Sequence, residues 1–185
     1  MIQSRSIIWR RSDMPGHEFA RISRNRSGWS IEGTTILVYR SDFCKMDYSI
    51  SCDNVWKTKS AKVNGFVGDQ IIAAEILVDE QNNWKLNGHE VPEVRDCLDI
   101  DLNFSPVTNT LPIHRLNLAV SEKATVRAAW LRFPSFLLEP LEQVYERTAE
   151  RKYRYESNGG SFQADLEIDD TGIVVSYANL WQIER

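Results

Sequence analysis

The sequence lacks the features that mark a membrane, metal-binding or disulfide-stapled protein. Nowhere do about 18 apolar residues run together, as a spanning helix requires, and the opening "MIQSRSIIWRRSDMPG" lacks the ~7–15-residue apolar stretch of a secretory signal. A cytoplasmic protein with no integral membrane segment is therefore expected. Cysteine is scarce: Cys44, Cys52 and Cys97 form an odd set without CxxC spacing, which fits reduced thiols. If Cys44 and Cys52 share one strand they stand about 26 Å apart, far beyond the ~7 Å a disulfide spans. His17, His89 and His114 are isolated, none three or four residues from another, so no metal and no cofactor is expected; His89, just after Asn87-Gly88, reads as a solvated turn residue. Charge of one sign is also missing. With 22 Lys and Arg against 26 Asp and Glu the net charge is −4, and the arginines at positions 5, 10, 11, 21, 24 and 26 are spread among apolar residues, so nucleic acid is not an expected partner.

What is present is period-2 alternation. Cys44, Met46, Tyr48, Ile50 and Cys52 alternate with Lys45, Asp47, Ser49 and Ser51, the pattern of a half-buried antiparallel strand. The pattern recurs at Ile72, Ala74, Ile76 and Val78, at Leu98, Ile100, Leu102 and Phe104, at Leu116, Leu118 and Val120, and at Phe162, Ala164, Leu166 and Ile168. Turn chemistry separates the runs: "DEQNN", "NG" at Asn87, "NGG" at Asn158 and "DDTG" at Asp169. Many short strands joined by turns indicate an all-β chain with little helix, and 185 residues without a low-complexity linker suit one domain over 1–185. The stretch "PLEQVYERTAERKY" is ambiguous, since Leu141, Val144, Tyr145 and Thr148 follow helical spacing while Tyr153 and Tyr155 return to alternation. "AEILVDE" from Ala74 and "ADLEIDD" from Ala164 echo each other, either because alternating strands look alike or because two β halves are related.

The least ordinary segment is "DIDLNFSPVTNTLPIHRL". Period 2 sets Asp99, Asp101 and Asn103 opposite Leu98, Ile100, Leu102 and Phe104, and a strand following Ser105–Ile113 would bring Arg115 to face the acids. Three readings follow. The first is a cross-strand ion pair with a clasp loop stiffened by Pro106 and Pro112, and the second is a polar patch anchoring a ligand at a cavity mouth. The third is a small carboxylate-dependent hydrolase or isomerase using Asp99 and Asp101 with His114 or Arg115, although no nucleophile motif or phosphate loop accompanies them. Six tryptophans, with Tyr145, Tyr153, Tyr155 and Tyr177, supply either core or pocket.

Set beside "VWKTKSAKV", "NWKLNG" and "YRYESNGGSFQADLEIDDTGIVVSY", the central segment makes nearly the whole chain resemble the putative glycolipid-binding family of bacterial proteins. The motifs are acid-x-Asp-Leu, Pro-x-Thr-Asn-Thr-Leu-Pro-Ile and Arg-Leu, with a closing pattern on Phe162, Ala164, Leu166, Ile168, Asp169, Gly172 and Val174. Lys59 departs from the arginine expected after Trp56 and Thr58, and lysine lacks the planar fork that a bidentate anion contact uses. The resemblance implies an antiparallel β-roll or open barrel with an apolar interior, similar in outline to lipoprotein carriers, and tips Leu141–Tyr155 towards strand. The expectation is a non-catalytic binder of a small amphiphilic ligand, a lipid or glycolipid. Asp99, Asp101, Asn109 and Arg115 would serve at the rim, and Trp56, Tyr145 and Tyr153 in the lining. The rival outside enzymes is an interaction protein, and monomer and homodimer are both open.

Overall fold

A computed structural model describes residues 4–184. The first half is an up-and-down run: β1 (Ser4–Arg11), β2 (Gly16–Asn25), β3 (Gly28–Tyr39), β4 (Asp42–Cys52), β5 (Thr58–Val67), β6 (Gln70–Val78), β7 (Trp84–Leu86) and β8 (His89–Glu90), each antiparallel to the next. Beyond a 3-10 turn at Pro92–Val94 lie β9 (Asp99–Leu102), a second 3-10 turn at Pro106–Asn109 and the helix α1 (Thr110–Leu116). The second run is β10 (Lys123–Arg132), β11 (Leu137–Ala149), β12 (Lys152–Ser157), β13 (Phe162–Ile168), β14 (Val174–Tyr177) and β15 (Trp181–Ile183). It is antiparallel throughout, and β9 joins β10 as the parallel pair.

β1 pairs with β15, so both runs form one 15-stranded open sheet with β8 and β9 at its edges. The sheet curls. The edge strand β9 meets the start of β5, where the Ile100 amide donates to Thr58 Oγ1 (2.9 Å) and the Thr58 amide to the Leu98 carbonyl (3.0 Å). The expected mainly β architecture, open rather than closed, is what forms. On β4 the five alternating residues Cys44 to Cys52 are all buried, and all three cysteines are free. The ambiguous Leu141–Tyr155 stretch is β11 and β12, with Leu141, Tyr145, Tyr153 and Tyr155 buried.

Two expectations are corrected. Leu116, Leu118 and Val120 are not a strand: α1 runs to Leu116, and Asn117 ends it in the left-handed region (φ 44°), its amide bonded to the Ile113 carbonyl. Pro112 fits the first turn of that helix, where a missing amide costs nothing. Nor does β9 carry a solvated polar face, because Asp99 is buried along with Ile100 and Leu102. The cause lies just after β9, where residues 104–113 are all buried. This plug is threaded inside the curled sheet and packs Phe104, Val107 and Leu111 into the larger apolar cluster and Ile113 into a second one, with Tyr145 and Leu166.

Candidate functional site

β1 lays out the interior. Its inward residues are Arg5, Ile7, Trp9 and Arg11, spanning about 20 Å at ~3.3 Å per residue. Ile7 and Trp9 are buried in the filled middle, while each arginine lines a cleft at its own end.

The cleft at Arg11 is a cavity of about 310 Å³. Asp101, Ser105 and Asn109 form its polar wall and Trp130, Tyr155, Tyr177 and Trp181 its aromatic one. Arg11 lies 4.9 Å over the Trp181 ring and makes two hydrogen bonds to Asp13 (2.6 and 3.1 Å), so its charge is largely matched. Asp101 differs. Its carboxylate accepts one protein hydrogen bond, from Gln143 Nε2 (2.6 Å), and burial pushes its pKa up to about 6. Asn109 is fixed on both ends: its amide donates to the Pro106 carbonyl (3.2 Å) and its oxygen accepts from Tyr145 (2.8 Å). The cavity therefore presents a carboxylate with spare lone pairs, oriented amides and ring faces, which suits a ligand bearing hydroxyl donors.

Asp99 and Arg115 do meet, but from strand to helix. Arg115 Nε donates to Asp99 Oδ1 (2.9 Å) and its NH2 to Oδ2, a bidentate pair whose carboxylate is 1% exposed. Burial raises the Asp99 pKa, against the lowering effect of Arg115. Such a pair holds α1 onto β9. Neither side chain lines the Arg11 cavity, and His114 turns away to stack on Trp56, so the Asp99, Asp101, His114 and Arg115 set does not converge as a reaction centre would require.

Trp56 and Tyr153 lie elsewhere. Trp56 is sandwiched between Trp29 (4.2 Å) and His114 (4.3 Å) and lines the apolar cleft of about 330 Å³ beside Arg5. Its φ of 68° is left-handed, a genuine outlier for so bulky a residue. Burial lowers the His114 pKa, outweighing the raising effects of its backbone contact at Thr171 and of the Asp169 charge. Tyr153, with the Arg147 guanidinium 5.8 Å over its ring, lines a polar cleft on the other side of His114. Among the described residues no group of three His, Cys, Asp or Glu side chains is arranged to hold a metal ion.

Sequence reasoning missed Glu18, an acid buried as fully as Asp99. It is 1% exposed, accepts at Oε1 from Tyr48 (2.6 Å) and Ser105 (2.6 Å), and faces Thr35 Oγ1 at 3.2 Å. Burial pushes its pKa up to about 8, outweighing those hydrogen bonds and the Arg11 charge. A signal existed in "GHEFARI": Glu18, Ala20 and Ile22 form one buried row, an acid on an apolar face.

The wider comparisons agree with this architecture. No curated protein matches the chain. A crystal structure of a DUF1089 family protein from Pseudomonas aeruginosa superposes with a TM-score of 0.79 at 28% identity, covering 89% of this chain and 91% of that one. A family model described as putative glycolipid-binding matches residues 6–183, and with that near-complete span the chain belongs to this family.

Proposed function

We propose that the protein binds a small amphiphile non-catalytically, seating a neutral, hydroxyl-rich head group in the cavity at Arg11. The observation that carries this reading is the pairing of an under-coordinated carboxylate, Asp101, with the Tyr155, Tyr177, Trp130 and Trp181 rings in one half-open site. A sugar-like group matches both walls, donating hydroxyls to Asp101 and offering apolar ring faces to the aromatics. A phosphate is poorly matched, because Arg11 is already clamped by Asp13 and Asp101 would repel it.

The filled middle of the sheet leaves no room for an acyl chain to thread from one end to the other, so the apolar part of the ligand rests near the cavity on Leu141, Phe162 and Leu180. Asp99, Arg115 and Tyr145 support the wall rather than touch the ligand. Family membership supports a ligand of glycolipid type. Three buried free thiols support a reducing, cytoplasmic compartment, and no helix among the described residues is long and apolar enough to cross a membrane.

The test is binding of octyl glucoside, followed by tryptophan fluorescence, to the wild type and to Asp101→Asn. The wild type should bind and the variant should bind more weakly at unchanged melting temperature. Equal affinity for both would remove Asp101 from the site.

A further inference from the structure

We propose that Glu18 is a positioning residue of the ligand cavity: from behind the wall, its carboxyl holds Ser105 and, through Ser105, the 3-10 turn that presents Asn109. The contacts form a chain. Tyr48 and Ser105 both donate to Oε1, leaving Oε2, beside Thr35 Oγ1, to carry the proton. Ser105 lines the cavity, and its Oγ also accepts from the Val107 amide (3.3 Å), capping the turn Pro106–Asn109. Asn109 in turn holds Tyr145, which lies 3.4 Å from the Oε1 of Gln143, the residue that donates to Asp101. One buried carboxyl on β2 thus ties β3 and β4 to the plug and reaches the ligand wall through a single hydroxyl.

This role rests on the proposed ligand cavity, and it makes binding sensitive to a proton the ligand never touches. The titratable or charged groups facing Glu18 are Tyr48 from β4 and Arg11 from β1; β3 contributes Thr35 and the plug Ser105, neither of which titrates. Tyr48 is itself held far above the usual phenol range by burial and by Glu18, so it remains neutral while Glu18 ionises. An ionised Glu18 in that dry pocket must draw in water or move towards Arg11, and either shift disturbs its contact with Ser105.

Two measurements on the full chain decide it. In wild type the Val107 amide resonance should titrate with a midpoint near the carboxyl value of about 8, and octyl glucoside affinity should fall about tenfold per pH unit above that midpoint. In Glu18→Gln, which keeps a neutral group of the same shape, Val107 should not titrate there and the alkaline loss of affinity should vanish. An alkaline limb that is the same in Glu18→Gln, or a wild-type Val107 resonance flat through this range, would overturn the proposal. If Val107 titrates as expected but no octyl glucoside binds at any pH, the head-group reading falls and the placement of Ser105 by Glu18 stands.

Discussion

At the scale of single residues, three acids facing the interior of one fold are treated in three ways. Asp99 has a full bidentate partner, Asp101 has one amide, and Glu18 has only hydroxyls and stays protonated at neutral pH. For Glu18 the folded value lies above the ordinary 4.5, so the folded state binds the proton more tightly and stability must fall as pH rises between the two values. At about 1.4 kcal/mol per pH unit, this amounts to roughly 3 kcal/mol lost between pH 4.5 and 7. Glu18→Gln should remove that slope and raise stability at pH 7, as denaturant titrations across pH would show; an unchanged slope would mean that Glu18 titrates normally. Arg115→Ala should act in the other direction. Stranding the Asp99 carboxylate costs about 3–5 kcal/mol, and the loss should appear as a lower unfolding midpoint without any ligand present.

At the scale of elements, β4, β6 and β13 were legible because one face of each meets water. Alternation from Cys44 to Cys52 identified β4 residue by residue. It misled at Leu116–Val120, because a helix end followed by a left-handed Asn117 also spaces apolar residues two apart. The plug was opaque for a different reason: with residues 104–113 buried on all sides, no periodicity separates inside from outside. The echo between Ala74–Glu80 and Ala164–Asp170 has a local cause. Asp79 and Asp169 each end a strand and accept the amides two and four residues on, and Asp53 repeats this after β4. The fourth residue of each turn is left-handed: Trp56, Asn82 and Gly172. Asn and Gly suit that position; Trp does not, and its ring stack with Trp29 and His114 offsets the strain. At Gly172 an added Cβ would sit 2.9 Å from the His114 ring. Gly172→Ala should therefore lower stability by about 1–2 kcal/mol from the backbone alone, and circular dichroism melts would register it; a neutral effect would show that the turn can rearrange.

At the scale of the whole molecule, two meanders share one interior because their first and last strands pair and the plug packs into both apolar clusters. We expect a single cooperative unit, with far-ultraviolet circular dichroism and tryptophan fluorescence reporting the same unfolding transition; separated transitions would mean that the halves fold apart. The same geometry puts the two arginine-lined clefts at opposite ends of β1, with a filled middle between them. The segment that carries the family resemblance is thus less a surface motif than an internal strut, and in the proposed function it acts through the few atoms it presents at the Arg11 end. In the proposed function this end holds the polar head of an amphiphile. That role is tested most directly by native mass spectrometry of wild type and Asp101→Asn purified without detergent. The wild type should carry an added mass, released as a glycosylated or otherwise hydroxyl-rich lipid and reduced in the variant. Bare wild-type protein, or an added mass held equally by both, would contradict it.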